Sequence, residues 1–117
     1  MEIRKRIIAG SGILELAGEF DLNEVEIFEQ AFRSHAENPE CKRIILDFDQ
    51  LSFLGSSGIS SLISMSRQMG SDKEGTIYLF RANDYIRDLV KMTGIEAIVK
   101  LINAWDFKKL TGQELDA

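Results

Sequence analysis

The chain has 117 residues, 44% hydrophobic and 28% charged, with a formal net charge of −5. That length gives one domain with a sizeable core, and the composition is that of a globular protein rather than a disordered one. The negative balance argues against nucleic acid and anionic membrane surfaces as partners. Cys41, the only cysteine, excludes an internal disulfide and fits a reducing compartment. Arg4, Lys5 and Arg6 precede Ile7 and Ile8, as in a secretory leader, but Gly10, Ser11, Gly12 and Glu15 cut the apolar stretch short. No run approaches a membrane span. The expected location is the cytoplasm, without direct membrane insertion.

Residues 6–9 and 13–17 read as two short strands around Gly10-Ser11-Gly12, a tight-turn composition that predicts a β-hairpin. Leu14 and Leu16 flank Glu15, so one face should be wet. Gly18-Glu19-Phe20-Asp21 follows. A helix is predicted over residues 23–36 with Asn23 as its N-cap. Val25, Phe28, Ala31, Phe32 and Ala36 form its apolar stripe, which Ile27 widens. Glu24, Glu26 and Glu29 lie near its start, where the helix dipole favours acids. His35 is the only histidine and falls in the last turn, where a cation would suit the dipole. Asn38-Pro39 ends the helix.

Residues 43–69 hold the centre of the pattern. Ile44, Ile45, Leu46 and Phe48 read as a strand covered on both faces, with Asp47 and Asp49 at its exit. Leu51, Phe53 and Leu54 should anchor the next loop in the core. At Gly55-Ser56-Ser57-Gly58 the pattern changes to helical. Gly55 supplies backbone freedom at the corner, and Ser56 or Ser57 is a natural N-cap. Ile59, Leu62, Ile63, Ser66 and Met69 recur at helical spacing as the inner face. Ser57, Ser60, Ser61, Ser64, Met65 and Gln68 form the outer one, a shallow surface of low charge.

A polar connection over residues 70–75 leads to a strand over residues 76–80. Asn83 then caps a third helix whose inner face is Ile86, Leu89, Val90 and Thr93, and Gly94 stops it. Ile98, Val99 and Leu101 predict a last short strand. Residues 103–110 predict a terminal helix anchored by Trp105, with the tail from residue 111 fraying.

The apolar strand followed by Leu51-Ser52-Phe53-Leu54, then Ser56-Ser57-Gly58-Ile59, resembles the signature of the STAS domain, most closely of bacterial anti-sigma-factor antagonists. Gly18-Glu19-Phe20-Asp21 and the Met92-Thr93-Gly94-Ile95 ending of the third helix resemble the family at two further places. The similarity spans roughly residues 5–110 of a single domain, 1–117. It implies an α/β fold in which a mixed sheet of about four to six strands packs with four helices, as strands alternating with helices after a hairpin also require. It further implies a protein-binding module that, unphosphorylated, captures an anti-sigma factor acting also as a serine kinase, and so regulates sigma-factor-dependent transcription. The phosphorylated position corresponds to Ser56, with Ser57 the fallback. The partner surface would comprise Glu19, Phe20 and Asp21 with Gly55, Ser56, Ser57, Gly58, Ser60, Ser61 and Ser64. A serine phosphatase is a further candidate partner. The family's usual aspartate before the first serine is Gly55 here.

The residues offer little to an enzyme. Ser57 has Gly55 two before it but Ile59 two after it, so the nucleophile-elbow spacing is broken. One cysteine and one histidine make no catalytic or metal set, and no phosphate-cradling loop occurs. No enzyme activity, cofactor or metal is expected. The alternative to a phosphorylation switch is a constitutive STAS adaptor subunit in a transport or signalling assembly.

Overall fold

A computed structural model of the chain describes residues 1–69 and 77–113. The opening hairpin pairs β1 (Glu2–Ile8) with β2 (Ser11–Phe20), antiparallel, with Ile8 opposite Ser11. The turn is therefore Ala9-Gly10, not Gly10-Ser11-Gly12. Both turn residues have positive φ, 51° and 81°, as a two-residue turn matched to the strand twist requires. The sheet then grows by parallel addition of β3 (Arg43–Leu54), β4 (Ile77–Phe80) and β5 (Lys100–Ile102), in the order β1-β2-β3-β4-β5.

Between these strands lie α1 (Val25–Ala36), α2 (Ser56–Met69) and α3 (Asp84–Thr93), and α4 (Ala104–Thr111) follows β5. Each parallel connection steps the same way across the sheet, and right-handed crossovers then place all three intervening helices on one face. Leu14, Leu16, Leu46 and Phe48 of the sheet accordingly share one buried cluster with Phe28, Phe32, Leu62, Met65, Ile86 and Val90 of those helices. Among the described residues, the opposite face receives only α4. There Ile13, Ile45 and Phe80 pack on Phe107, whose ring stacks on Phe80 at 4.5 Å. The expected mixed sheet with four helices is what the chain forms.

Several local expectations need correction. The strand does not leave the sheet at Asp47 and Asp49 but continues to Leu54. It does so through two irregularities of register against β2, and past Phe48 one buried residue alternates with two exposed ones. Leu51 and Leu54 are buried, but Phe53 is 40% exposed. Asp47 is buried because Arg81 reaches it with two hydrogen bonds, Nε to Oδ1 at 3.1 Å and an Nη to Oδ2 at 2.6 Å. This pairing raises the Arg81 pKa, chiefly through the side-chain hydrogen bond.

Helix α1 is preceded by a 3-10 turn, Leu22–Glu24, capped by Asp21, which accepts from Asn23 N; Asn23 is not the cap. Ile27 is exposed. His35 is buried and does not serve the dipole as a cation: burial holds its pKa below 6.5, the Ile13 hydrogen bond opposing and Lys5 reinforcing this. Helix α2 is rotated from the expected facing. Ser61 and Met65, assigned to the outer face, are buried, while Ser66 is half-buried. In α3, Asn83 caps by accepting from Ile86 N and Gly94 closes the helix at φ 77°, as expected, but Thr93 is exposed. Ile98 lies outside β5 and is exposed. Trp105 is 62% exposed, and the anchor of α4 is Phe107. Thr111 is the last residue of that helix and is buried rather than frayed. The predicted polar connection, residues 70–75, residue 76 of the predicted strand and residues 114–117 of the tail expected to fray lie outside the described residues.

Candidate partner-binding corner

The end of β2 and the end of β3 run side by side, with Glu19 opposite Phe53 and Phe20 opposite Leu54. Gly55 N donates to Phe20 O at 2.9 Å, which extends the pairing one residue into the corner. Gly55 O then accepts from Ile59 N at 3.0 Å, so α2 starts at once. Gly55 thus occupies the capping position, and Ser56 is the first helical residue rather than its cap. Positive φ occurs at other glycines but not at Gly55. What this position restricts is room: a Cβ here would stand 3.1 Å from Phe53 Cε2. Gly58 is restricted more severely, because a Cβ there would meet Leu54 Cδ1 at 2.7 Å and the Phe20 ring at 3.0 Å. A glycine one turn into the helix lets α2 lie flat on Phe20.

The candidate residues divide by exposure. Ser56 and Ser60 are exposed, and Ser57 and Ser64 are half-buried. With Leu22, Val25, Glu29 and Ser61 they line a groove of about 380 Å³ between α1 and α2. Glu19 is exposed, and Asp21 is half-buried and occupied with its cap. Phe20 and Gly58 are buried and add no side chain to this surface, while Ser61 is buried at the floor of the groove. Phe20 is core, its ring 4.8 Å from Phe28. Ser61 donates to Glu29 Oε2 at 2.8 Å, and Glu29 also pairs with Arg33 at 3.5 Å, so the groove floor ties α2 to α1.

Three exposed apolar residues beside this corner were not assigned to the partner surface from the sequence. Leu22, 73% exposed, forms one rim of the groove. Phe53 and Tyr85 stack at 6.4 Å on the other side of the corner, and the Tyr85 hydroxyl donates to Leu54 O at 3.3 Å. The signal for Leu22 was its place directly after a capping Asp, outside the α1 stripe. Phe53 gave none, because an apolar residue in an apolar stretch reads as core.

Other clefts have different chemistry. On the sheet face that α4 leaves open, Glu2, Arg4, Glu15, Asp47, Asp49, Gln50 and Arg81 line a cleft of about 230 Å³. Within it Arg81 pairs with Asp47, and Glu15 pairs with Arg6 outside the lining at 2.8 Å. Among the described residues, no group of three His, Cys, Asp or Glu side chains is placed to hold a metal ion, and no helix is long and apolar enough to cross a membrane.

The sequence profile of the STAS domain matches residues 2–107. The chain belongs to the STAS domain family. Its fold is similar to that of an anti-sigma factor antagonist from Mycobacterium paratuberculosis, with a TM-score of 0.81 at 18% identity over 96% of this chain and 94% of the other. It is also similar to the anti-sigma factor antagonist SpoIIAA in its unphosphorylated form, with a TM-score of 0.69 at 17% identity over 92% of this chain and 94% of that one. The phosphorylated form of SpoIIAA, the Bacillus cell fate determinant, gives 0.69 at 19% identity over 92% and 97%. At these identities the likeness establishes the shared STAS fold.

Proposed function

We propose that this STAS domain is an anti-sigma-factor antagonist. Unphosphorylated, it binds a serine-kinase-type anti-sigma factor through the surface around Ser56, and phosphorylation of Ser56 releases that partner. The observation that carries this reading is the place of Ser56: exposed, first in α2, at the mouth of the groove between α1 and α2. A phosphate there adds roughly −1.5 to −2 charge at a helix N-terminus, whose free N–H groups tolerate an anion, so the fold persists while the surface changes. Ser57 lines the same groove but is half-buried, which makes it the second choice. The protein acts by binding rather than catalysis, as one domain, in the cytoplasm; a serine phosphatase would reset it.

Gly55 favours a second reading, because a corner without the family's carboxylate suits a constitutive STAS adaptor. Affinity capture from native lysate with wild type, Ser56→Ala and Ser56→Asp separates the two. An antagonist retains a serine-kinase-type anti-sigma factor with wild type and Ser56→Ala and loses it with Ser56→Asp. Retention of one non-kinase assembly by all three establishes the adaptor instead.

A further inference from the structure

Phe53 and Tyr85 come from different elements, the end of β3 and the first turn of α3, and yet form one exposed aromatic shelf. They are 40% and 46% exposed, with 21° between the ring planes. The segment that delivers Tyr85 is tied to β3 at three successive points. Arg81 holds Asp47, Asn83 Nδ2 donates to Leu51 O at 3.4 Å, and the Tyr85 hydroxyl donates to Leu54 O. The shelf is therefore preorganised, so a ligand seated on it orders little that was free before. It abuts the corner itself, since the Phe53 ring occupies the space a side chain at residue 55 would enter.

The charges adjoining the shelf along the end of β2 and at the start of α3 are acidic. Glu19 lies opposite Phe53 in the sheet, Asp21 follows at the end of β2, and Asp84 precedes Tyr85. Arg81 is consumed by Asp47, and Arg87 lines a separate cleft with Lys91 and Asp106. Rigid aromatics at the centre of a patch with charge at its rim are the arrangement of an interface anchor.

We propose that Phe53 and Tyr85 are the specificity-determining anchor of the partner surface. They receive an apolar side chain of the anti-sigma factor, while basic residues of that partner face Glu19, Asp21 and Asp84. The inference rests on the antagonist reading above and adds the chemistry of the contact. Ser56 then lies between two apolar footholds, the aromatic shelf and Leu22.

The test titrates the full chain with purified serine-kinase-type anti-sigma factors of its own genome, one at a time, by calorimetry. Phe53→Ala and Tyr85→Ala each weaken the binding factor by at least about tenfold, as loss of an aromatic anchor does. Tyr85→Phe keeps the ring and stays within about threefold, the scale of one neutral hydrogen bond. Trp105→Ala, at a still more exposed aromatic on α4, leaves the affinity unchanged. Amide and aromatic shift mapping on the wild type gives an answer that does not depend on any variant folding: the Phe53 and Tyr85 signals move on binding. If a factor binds and Ser56→Asp abolishes it, but Phe53→Ala and Tyr85→Ala bind like wild type and their signals stay still, the anchor is wrong and the antagonist survives. If none of the factors binds the wild type, both fail.

Discussion

At its two ends β3 meets opposite surroundings. Where it begins, Gly12 packs against Cys41 and His35 so closely that a Cβ would come within 2.9 Å of both side chains. His35 Nε2–H donates to Ile13 O at 3.1 Å, which leaves Nδ1 to accept from the Cys41 thiol at 3.7 Å. Where β3 ends, Phe53 and Ser56 turn outward beside Leu22 and Tyr85. One end commits its side chains to internal contacts and the other leaves them exposed. A domain that must present a stable corner can do so only if the corner is not what holds it together. Substitutions at the closed end and in the middle of β3 should therefore cost stability, and those at the open end should cost binding.

The largest effect belongs to the middle of the strand. Arg81→Met leaves buried Asp47 without its cation and should destabilise the fold by about 3 kcal/mol, measured as urea unfolding, as removal of one partner of a buried pair does. Gly12→Ala overpacks the closed end and should cost about 2 kcal/mol in the same assay. Should Gly12→Ala melt like wild type, the closed end is looser than its contacts imply.

A smaller effect comes from pH. The folded-state pKa of His35 lies below its unfolded value near 6.5, so the unfolded chain binds the extra proton first. The stability this residue contributes is whole above that pH and declines as pH falls through 6.5 toward the folded value. A melting temperature that falls between pH 7 and pH 5, with a shallower slope in His35→Gln, is expected; identical slopes would remove His35 from the account. The smallest change is at the open end. Ser56→Asp should alter unfolding free energy by no more than about 0.5 kcal/mol, with any shift toward stability because the new carboxylate faces a helix N-terminus.

The two ends also differed in how far the sequence disclosed them. The buried run Ile44 to Phe48, the α1 stripe of Val25, Phe28, Ala31 and Phe32 and the caps at Asn83 and Gly94 depend on local chemistry, and each was legible. The Ser56 corner was legible because a strand, a glycine-serine turn and a helix follow one another within a few residues. What escaped was set by contacts distant in sequence. Two irregularities of register against β2 change the rhythm of β3 past Phe48, which turns Phe53 outward against its hydrophobicity. Asp47 looked like a strand exit because the cation that buries it lies 34 residues away. Helix α2 was misfaced because serine reads as polar, whereas Ser61 is buried by its bond to Glu29 of another helix. Trp105 looked like the anchor of the last helix because it is the largest apolar residue there, and only the placement of α4 over Phe80 gives that role to Phe107.

Strand order in the sheet equals strand order in the chain. During synthesis each strand can therefore join an edge already made, with no gap held open for a later piece. Growth by neighbours keeps the sequence separation of contacts lower than an order with skipped strands would. Once Tyr85 has left the ribosome, everything flanking Ser56 is present, while α4 has yet to close the other face. The residues of the corner are thus all made before those of α4, and the opposite face of the sheet is the last to be covered.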